Sequence, residues 1–313
     1  MQSLRIGTGA VSAEIWTLGA AVNALWAPDR EGAVTSVILG HADEGERLAG
    51  NAFLGEIVGP FGNRLRDARF EIDGVTYQTE RSFLGKHSLH SGSDGFHRQE
   101  WTVAEADAEH VRLTLTWSDT TGDHPGPIHA AVTYRAEGAA FSYVIEVTTE
   151  APTVVNVVGH PYVNLAGAGT VLDQVLTIAA DTYLPVDAEM IPTADAPAPV
   201  EGRFDLRAGK TLGEIVGAGG VDHNFVPDGE GMRHVASVVD PHSGRRLDIE
   251  TDEPGLQVYD GRGLEEVGYP KYGGMAIETQ NFPDAPNRPD FPSALLRPGQ
   301  TRTSTTVWRF SAS

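Results

Sequence analysis

The chain has 313 residues, 40% of them hydrophobic, which excludes a disordered protein because this composition supplies ample apolar surface for a large core. Its net charge of −20, and the lack of any Lys/Arg cluster longer than a pair, exclude nucleic acid and anionic membranes as partners. The chain contains no cysteine, which excludes disulfides, thiolate metal sites and cysteine nucleophiles.

The N-terminal segment MQSLRIGTGAV lacks the basic and apolar regions of a secretory signal. The longest apolar stretch, LGAAVNALWA, is too short and too interrupted to span a bilayer, so we expect a cytoplasmic location. No linker-like shift in composition and no internal repeat divides the chain. We therefore expect a single domain that spans residues 1–313.

Strand patterns occur along most of the chain. In ARFEIDGVTYQTE, Asp73-Gly74 stands between two strand-like runs and predicts a hairpin, because both central residues of such a turn favour positive φ. HVRLTLTW and FSYVIEVTTE then alternate apolar and polar residues with a period of two, and HVASVVD, RRLDIETD and GLQVYDG are further short strands. Convincing helical periodicity is missing. The pattern predicts an all-β fold built as a large antiparallel β-sandwich.

Polar residues interrupt the apolar strand-like run VVNVVGHPYVNLAG, at Asn156, His160 and Asn164. Buried polar groups of this kind are more often hydrogen-bonded for packing than used in catalysis. A catalytic histidine and a structural histidine both remain open at this point.

Three more histidines, His87, His90 and His97, lie in the Gly/Ser-rich segment LGKHSLHSGSDGFHRQEW. We expect them to be solvent-exposed residues of a loop. Metal binding is the alternative, but the sequence has neither HExxH nor a comparable ligand spacing. We therefore expect no structural metal.

Other polar residues at turns and strand ends are candidates for ligand contacts. Arg64, which follows Asn63 in GPFGNRLRDARF, is either solvated or donates hydrogen bonds from its guanidinium group to a ligand oxygen. Asp222, in GGVDHNFVPDG, either forms a turn or accepts hydrogen bonds from hydroxyl groups. Gln257 lies in PGLQVYDG, and Glu278 ends an apolar run that continues into the proline-rich NFPDAPNRPDFP. Each of these signals is weak alone.

Taken in order, the motifs GNRL…FxIDGxxYQ, LHSGxxGF…W, GHPYxNLxG, DHNFV, PGLQxY and ETQNFPDAPNxPxFP…LxPG resemble the aldose 1-epimerase (galactose mutarotase) family. The resemblance extends from about Leu4 to Phe310, and the His-Pro-Tyr and Glu-Thr-Gln segments are quite specific. It implies a galactose mutarotase-like β-supersandwich of one domain. Such a protein binds a free monosaccharide in an open cleft and interconverts its α and β anomers without a cofactor.

The same resemblance implies a role for each candidate residue. Glu278 matches the family's catalytic base and His160 its general acid, and the proline-rich loop after Glu278 is expected to shape the cleft. The resemblance implies that the sugar's hydroxyls and ring oxygen are held by Arg64, His90, Asp222 and Gln257, with Asn63 supporting the arginine. These residue types suit the chemistry, because opening a hemiacetal ring requires one group to take a proton while another gives one.

Four residues depart from the family pattern and leave the preferred sugar open: Pro60, Gly62, Ser91 and Val163. Two other functions also remain open. A hexose-6-phosphate 1-epimerase would need a basic subsite, which the low and scattered Lys/Arg content does not favour. A non-catalytic sugar-binding protein would be expected to have lost the acid or the base, and both are present. The oligomeric state, monomer or homodimer, is not decided by these motifs.

Overall fold

The computed structural model describes residues 1–50, 52–122, 124–194 and 196–313. Within these ranges the chain forms two short α-helices, α1 (Glu44–Ala49) and α2 (Leu212–Gly217). Short 3₁₀ turns occur at Arg66–Ala68, Gly92–Asp94, Phe96–Arg98, Gly202–Phe204, Leu264–Val267 and Ala285–Asn287. No helix in the described ranges combines the length and apolar character needed to cross a membrane.

Strands supply most of the regular structure. The strands of the N-terminal half are β1 (Ser3–Ile6), β2 (Ser12–Trp16), β3 (Ala21–Pro28), β4 (Val34–Ser36), β5 (Ile57–Val58), β6 (Arg64–Leu65), β7 (Arg69–Ile72), β8 (Val75–Gln78), β9 (Ser88–Leu89), β10 (Thr102–Ala106), β11 (His110–Trp117), β12 (Ile128–Glu137), β13 (Ala140–Thr149), β14 (Thr153–Val154) and β15 (Val158–Gly159). The strands that follow are β16 (Tyr162–Val163), β17 (Val175–Ile178), β18 (Thr182–Leu184), β19 (Ala198–Pro199), β20 (Lys210–Thr211), β21 (Asp222–Val226), β22 (Arg233–Val239), β23 (Arg245–Thr251), β24 (Gly255–Tyr259), β25 (Met275–Gln280), β26 (Leu295–Leu296) and β27 (Arg302–Ala312).

Two sheets form the body of the fold. The larger sheet has nine strands in the order β10-β11-β12-β13-β27-β23-β22-β17-β20, and the smaller has six in the order β16-β25-β24-β21-β18-β19. Neighbouring strands in both sheets are antiparallel. A four-stranded sheet, β1-β2-β3-β4, lies beside them. The predicted antiparallel sandwich is confirmed, and the strand patterns read from the sequence lie on β7, β8, β11, β13, β22, β23 and β24.

The core lies between the two large sheets. Alternate residues of β13, including Phe141 and Ile145, belong to the same buried apolar cluster as Val258 of β24 and Ile277 of β25. Burying this apolar surface contributes about 25 cal/mol per Å² and drives the packing of the two sheets. Because strand side chains alternate between faces, the residues next to Val258 and Ile277 point away from this core.

The predicted hairpin at Asp73-Gly74 is confirmed. Both residues have positive φ, 51° and 80°, and they join β7 to β8, whose antiparallel register runs from the Arg69–Gln78 pair to the Ile72–Val75 pair. The local turn chemistry was sufficient here because a two-residue turn needs no distant contact to specify it.

The polar run around His160 divides into three two-residue strands, β14, β15 and β16. The Asn156 side chain donates to the Gly62 and Asn281 carbonyls, at 3.0 and 3.3 Å, and accepts from the Asn281 backbone N–H at 2.8 Å. Asn164 donates to the Gly273 carbonyl at 2.7 Å. Both asparagines are therefore structural residues that satisfy buried backbone groups of adjoining loops.

Candidate active site

An open cleft with a volume of about 410 Å³ lies on the face of the six-stranded sheet that is turned away from the core. This volume lies within the ~300–1,000 Å³ typical of small-molecule sites. Its described lining consists of Ala49, Gly50, Ala52, Phe53, Asn63, Arg64, Leu89, His90, His160, Tyr162, Asp222, Gln257, Tyr259, Gly263, Leu264, Glu266, Val267 and Glu278. The cleft thus brings together all seven site residues that the sequence indicated.

Strand alternation places the central polar residues of the cleft. Gln257 of β24 and Glu278 of β25 are register partners, and the two flanking residues, Val258 and Ile277, are partners in the core. A shift of one residue in this register would send the polar pair into the apolar core. The sheet register therefore fixes which side chains face the cleft.

The two candidate proton-transfer groups meet in the cleft. His160 Nε2 lies 3.5 Å from Glu278 Oε1, and the two residues are only 5% and 2% exposed. Glu278 Oε2 and His160 Nδ1 have no hydrogen-bond partner among the described residues. Buried polar atoms without a partner are uncommon in folded proteins, and both of these atoms belong to residues that line the cleft.

Burial pushes the pKa values of this pair in opposite directions. It raises the pKa of the Glu278 carboxyl well above its usual range; the charge of Asp222 adds to this shift, and Arg64 opposes it. It lowers the pKa of His160 to about 4, against the opposing effects of a backbone hydrogen bond and of the charges of Glu56 and Asp222. Burial thus favours the neutral form of each group, a protonated Glu278 and an uncharged His160.

Arg64, Asp222 and Gln257 form a hydrogen-bonded group beside the pair. Arg64 Nη2 donates to Asp222 Oδ2 at 3.0 Å, and Gln257 Nε2 donates to Asp222 Oδ1 at 2.6 Å. Asn63 Oδ1 accepts from the Arg64 backbone N–H at 2.9 Å, which fixes the turn that presents the arginine. Arg64 is thus neither solvated nor unpaired, and Asp222 begins β21 rather than forming a turn.

The expectation that His87, His90 and His97 are exposed was wrong, because their exposures are 0%, 5% and 3%. The segment contains two 3₁₀ turns, and His97 lies in the second of them. His87 Nδ1 accepts from the Asp67 backbone N–H at 2.9 Å and is structural. His90 reaches the cleft, where its Nδ1 accepts from the Asn63 backbone N–H at 3.1 Å, so its proton belongs on Nε2, the other ring nitrogen.

The proline-rich loop after Glu278 contributes no residue to the described lining of the cleft. The loop is instead hydrogen-bonded to the backbone at Arg64 and Arg66. Asp284 donates its backbone N–H to the Arg64 carbonyl at 2.9 Å and accepts from the Arg66 backbone N–H at 2.8 Å. Phe282 and Phe291 of the same loop pack in a separate apolar cluster.

The four departures from the family pattern also lie outside the described lining of the cleft. A Cβ on Gly62 would stand 2.6 Å from the Val158 side chain, so this position has no room for a larger residue. The Pro60 carbonyl accepts from the Asn156 backbone N–H at 2.8 Å, and the Ser91 hydroxyl donates to the Phe61 carbonyl at 3.2 Å. Pro60 and Gly62 precede the turn that carries Asn63 and Arg64, whereas Val163 pairs with Met275 of β25.

Sequence reasoning missed the aromatic wall of the cleft. The Phe53 ring lies 4.6, 4.9 and 5.6 Å from the rings of His90, His97 and His160, and Tyr162 lies 5.2 Å from His160. Phe53 has a φ of 57°, an uncommon conformation for a bulky residue. No local sequence pattern predicts the position of Phe53, because the residues that it contacts come from distant parts of the chain.

The ligand atoms of His90, His160 and Glu278 lie within 4.8 Å of one another. Two histidines and a glutamate are a known donor set for zinc, so this arrangement is also compatible with a metal ion, although no sequence spacing indicated it. The metal dependence of the site is therefore a question for experiment.

A comparison with known families matches residues 2–309 to the family described as Aldose 1-epimerase. Galactose mutarotase of Rattus norvegicus is 36% identical over 326 residues, covering 99% of this chain and 94% of that protein. Aldose 1-epimerase of Escherichia coli K12 is 32% identical over 306 residues, covering 91% and 88%. The crystal structure of a GalM/aldose epimerase homologue from C. elegans covers 99% of this chain and 98% of that one, with a TM-score of 0.93 and 27% identity. The family match includes every residue of the described cleft lining.

The raised pKa of Glu278 predicts that Glu278→Gln stabilises the protein at alkaline pH. When the pKa of a carboxyl is higher in the folded than in the unfolded protein, its ionisation makes the folded protein less stable. This loss grows as the pH rises from the unfolded pKa of 4.5 through the folded pKa. Removing the group should therefore raise the thermal midpoint near pH 8 by about 2 °C or more and have a smaller effect near pH 5. Differential scanning calorimetry at the two pH values measures this.

Glu266→Gln is the matched control, because Glu266 borders the same cleft but is exposed. This variant should leave the midpoint unchanged. An equal change at both pH values, or no gain for Glu278→Gln, would contradict the assignment of an ionisation penalty to Glu278.

Proposed function

We propose, from the premise that the chain belongs to the aldose 1-epimerase family, that Glu278 and His160 open and close the ring of a free aldose. The chain is an isomerase that interconverts the α and β anomers of an aldose, as its full-length similarity to galactose mutarotases and aldose 1-epimerases supports. The observation that carries the residue assignment is the buried carboxyl–imidazole pair, 3.5 Å apart, in a cleft bordered by hydrogen-bonding groups.

The proposed reaction begins with two proton transfers. The Glu278 carboxylate takes the proton of the anomeric hydroxyl, and the freed electron pair forms the carbonyl of the aldehyde. The bond between the anomeric carbon and the ring oxygen breaks, and the ring oxygen takes a proton from the His160 imidazolium. The open aldehyde turns about its first carbon–carbon bond, and the ring closes on the other carbonyl face with the two roles reversed.

The reaction needs the ionised form of the pair, in which Glu278 is a carboxylate and His160 carries the proton. Burial favours the neutral forms of both groups, but one proton moved across 3.5 Å converts one form into the other without changing the net charge. Arg64 favours the carboxylate, and a sugar that donates its anomeric hydroxyl to Glu278 favours it further. Sugar binding thus supports the form that reacts.

The remaining polar residues are proposed to hold the sugar. Arg64 is a rigid donor already oriented by Asp222, and His90 offers the N–H of its Nε2. Asp222 keeps further acceptor capacity for hydroxyl groups after its bonds to Arg64 and Gln257. Neutral hydroxyl groups suit this mixture of donors and acceptors, because recognition does not depend on a net charge in the cleft.

Substitution of the proton-transfer pair should lower kcat. Glu278→Gln and His160→Gln keep hydrogen-bonding capacity but remove the base and the acid, so each should reduce kcat by about 10²–10⁴-fold. Gln257→Ala should act mainly on KM, because its contact changes little as the ring opens. Polarimetry on freshly dissolved α-anomers of galactose, glucose, xylose and arabinose measures both constants.

Spontaneous mutarotation must be subtracted from each trace, and phosphate buffer must be avoided because phosphate catalyses the same reaction. A folded Glu278→Gln variant with near-wild-type kcat would reject its role as the base. If the wild-type protein binds these aldoses but turns over none of them, the result would instead favour the non-catalytic sugar-binding function.

Neutral aldoses should be better substrates than their phosphates. Arg64 is the only Lys or Arg in the described lining of the cleft and is already paired with Asp222, while Glu266 and Glu278 add acidic groups. A phosphate dianion would therefore be repelled, as the net charge of −20 also indicates. We expect kcat/KM for glucose 6-phosphate to be lower than for glucose, and the reverse order would favour the hexose-6-phosphate 1-epimerase.

Activity should not depend on a metal ion, because proton transfer by Glu278 and His160 requires none. The test is informative because His90, His160 and Glu278 lie close enough together to hold a metal ion. Polarimetry after exhaustive chelation should give the wild-type kcat. Loss of activity on chelation, with recovery on addition of one particular divalent ion, would reject a metal-free reaction.

A further inference from the structure

A second group of titratable residues is buried outside the described lining of the cleft. Glu56, Arg47 and His41 are 0%, 2% and 6% exposed. Arg47 Nε lies 2.6 Å from Glu56 Oε1, and His41 Nε2 lies 3.1 Å from the same oxygen. No motif in the sequence marked these three residues, and the proton-transfer mechanism described above does not use them.

Main-chain hydrogen bonds join this buried group to the proposed acid. The His160 backbone N–H donates to the Glu56 carbonyl at 2.9 Å, and the Gly55 backbone N–H donates to the His160 carbonyl at 3.0 Å. These bonds extend the antiparallel pairing of β5 with β15, so Glu56 lies opposite His160. Any shift of Glu56 is therefore transmitted to the backbone of His160.

The surrounding chain leaves space for this group. Gly19 has a φ of 71°, and a Cβ at this position would lie 2.9 Å from Arg47 Nη2 and 3.0 Å from Glu56 Cγ. Arg47 also donates to the His97 carbonyl. Only glycine fits the turn that covers the ion pair, because any side chain would meet both partners and would also be strained by the positive φ.

A buried ion pair is a weak source of stability, since the cost of removing two charges from water offsets much of their attraction. The main-chain bonding of Glu56 to His160, together with the effect of its charge on the His160 ring, points to a role in the reaction. We propose that Glu56 is a positioning residue with two effects on His160. It fixes the backbone of His160, and it supplies a permanent negative charge near the imidazole. This charge favours the protonated ring, which gives its proton to the sugar. This inference rests on the proposed function, because it requires His160 to be the acid.

The charge states agree with this role. Burial alone would raise the pKa of Glu56, but the hydrogen bond from His41 and the charge of Arg47 outweigh burial and hold the pKa below its usual value. Glu56 is therefore an anion at the pH at which the protein works. Its charge raises the pKa of His160 against the larger effect of burial.

Other groups also surround the His160 ring, and each affects its protonation. The ring is faced by Glu278, whose Oε1 is 3.5 Å away, and by the rings of His90 and Tyr162, each 5.2 Å away. Asp222 raises the pKa of His160 in the same direction as Glu56. Unlike Glu278 and Asp222, Glu56 lies outside the described lining of the cleft, so its charge can be changed without removing a proposed contact to the sugar.

The test compares the pH dependence of kcat/KM in wild type, Glu56→Gln and Glu56→Asp, with neutral galactose as substrate. Glu56→Gln removes the charge, so the alkaline limb, where the pair loses its last proton, should move to lower pH by about 0.5–1 unit. The population of protonated His160 falls with it, so kcat at neutral pH should fall by about 3–10-fold. Glu56→Asp keeps the charge and should keep the alkaline limb in place, even if a displaced backbone lowers kcat.

Glu253→Gln is the matched control, because Glu253 is 5% exposed and pairs with Arg302 at 2.9 Å away from the cleft. It should leave the pH profile of kcat/KM in place, because Glu253 lies outside the described lining of the cleft. Should Glu56→Gln fail to fold, the double variant Arg47→Gln/Glu56→Gln leaves no unpaired charge of this ion pair and is expected to shift the limb in the same direction.

Two results would overturn the inference: an unshifted alkaline limb in the folded charge-free variant, or an equal shift in Glu56→Asp. Either would reduce the buried group to a structural anchor for α1. His160→Gln, assayed in parallel, separates this outcome from failure of the proposed function. If His160→Gln loses kcat while the Glu56 variants keep the wild-type profile, only the role of Glu56 is rejected; if His160→Gln remains fully active, the assignment of the acid fails as well.

Discussion

The register between β24 and β25 is the constraint on which the site depends. It places Val258 and Ile277 in the core and, one residue away on each strand, Gln257 and Glu278 in the cleft. The hydrophobic effect sets this register, because the apolar residues gain burial only when they face the larger sheet. A carboxyl group that would be costly to bury on its own is thus held below the surface by the packing of its neighbours.

Burial also changes the pKa values of the Glu278 carboxyl and the His160 imidazole. In water Glu278 would be a weak base and His160 would titrate near pH 6.5, with no reason to exchange a proton. In the cleft, desolvation penalises the charged forms of both groups, whose nearest side-chain atoms lie 3.5 Å apart. Among the nearby charges, Arg64 lowers the pKa of Glu278 and Glu56 raises the pKa of His160, so each opposes the effect of burial.

The surroundings of the pair are assembled from loops that the sheets hold in place. The turn at Asn63 and Arg64 is bonded to His90 on one side and to Asp284 of the proline-rich loop on the other. Phe53 packs against the histidines from a third segment. Strands of the sheets and the segments bonded to them thus bring residues that are far apart in the sequence to one cleft.

The sequence by itself determined the strands, the Asp73-Gly74 turn and the sandwich, because these follow from a period of two and from local turn chemistry. Ordered motifs also indicated the residues of the cleft, including Glu278 and His160. Three features became visible only in the folded chain: the burial of His87, His90 and His97, the hydrogen bonds of the proline-rich loop to the Arg64 turn, and the pairing of Glu56 with Arg47 and His41. These features depend on contacts between segments far apart in the chain and on desolvation, and a local pattern encodes neither of them.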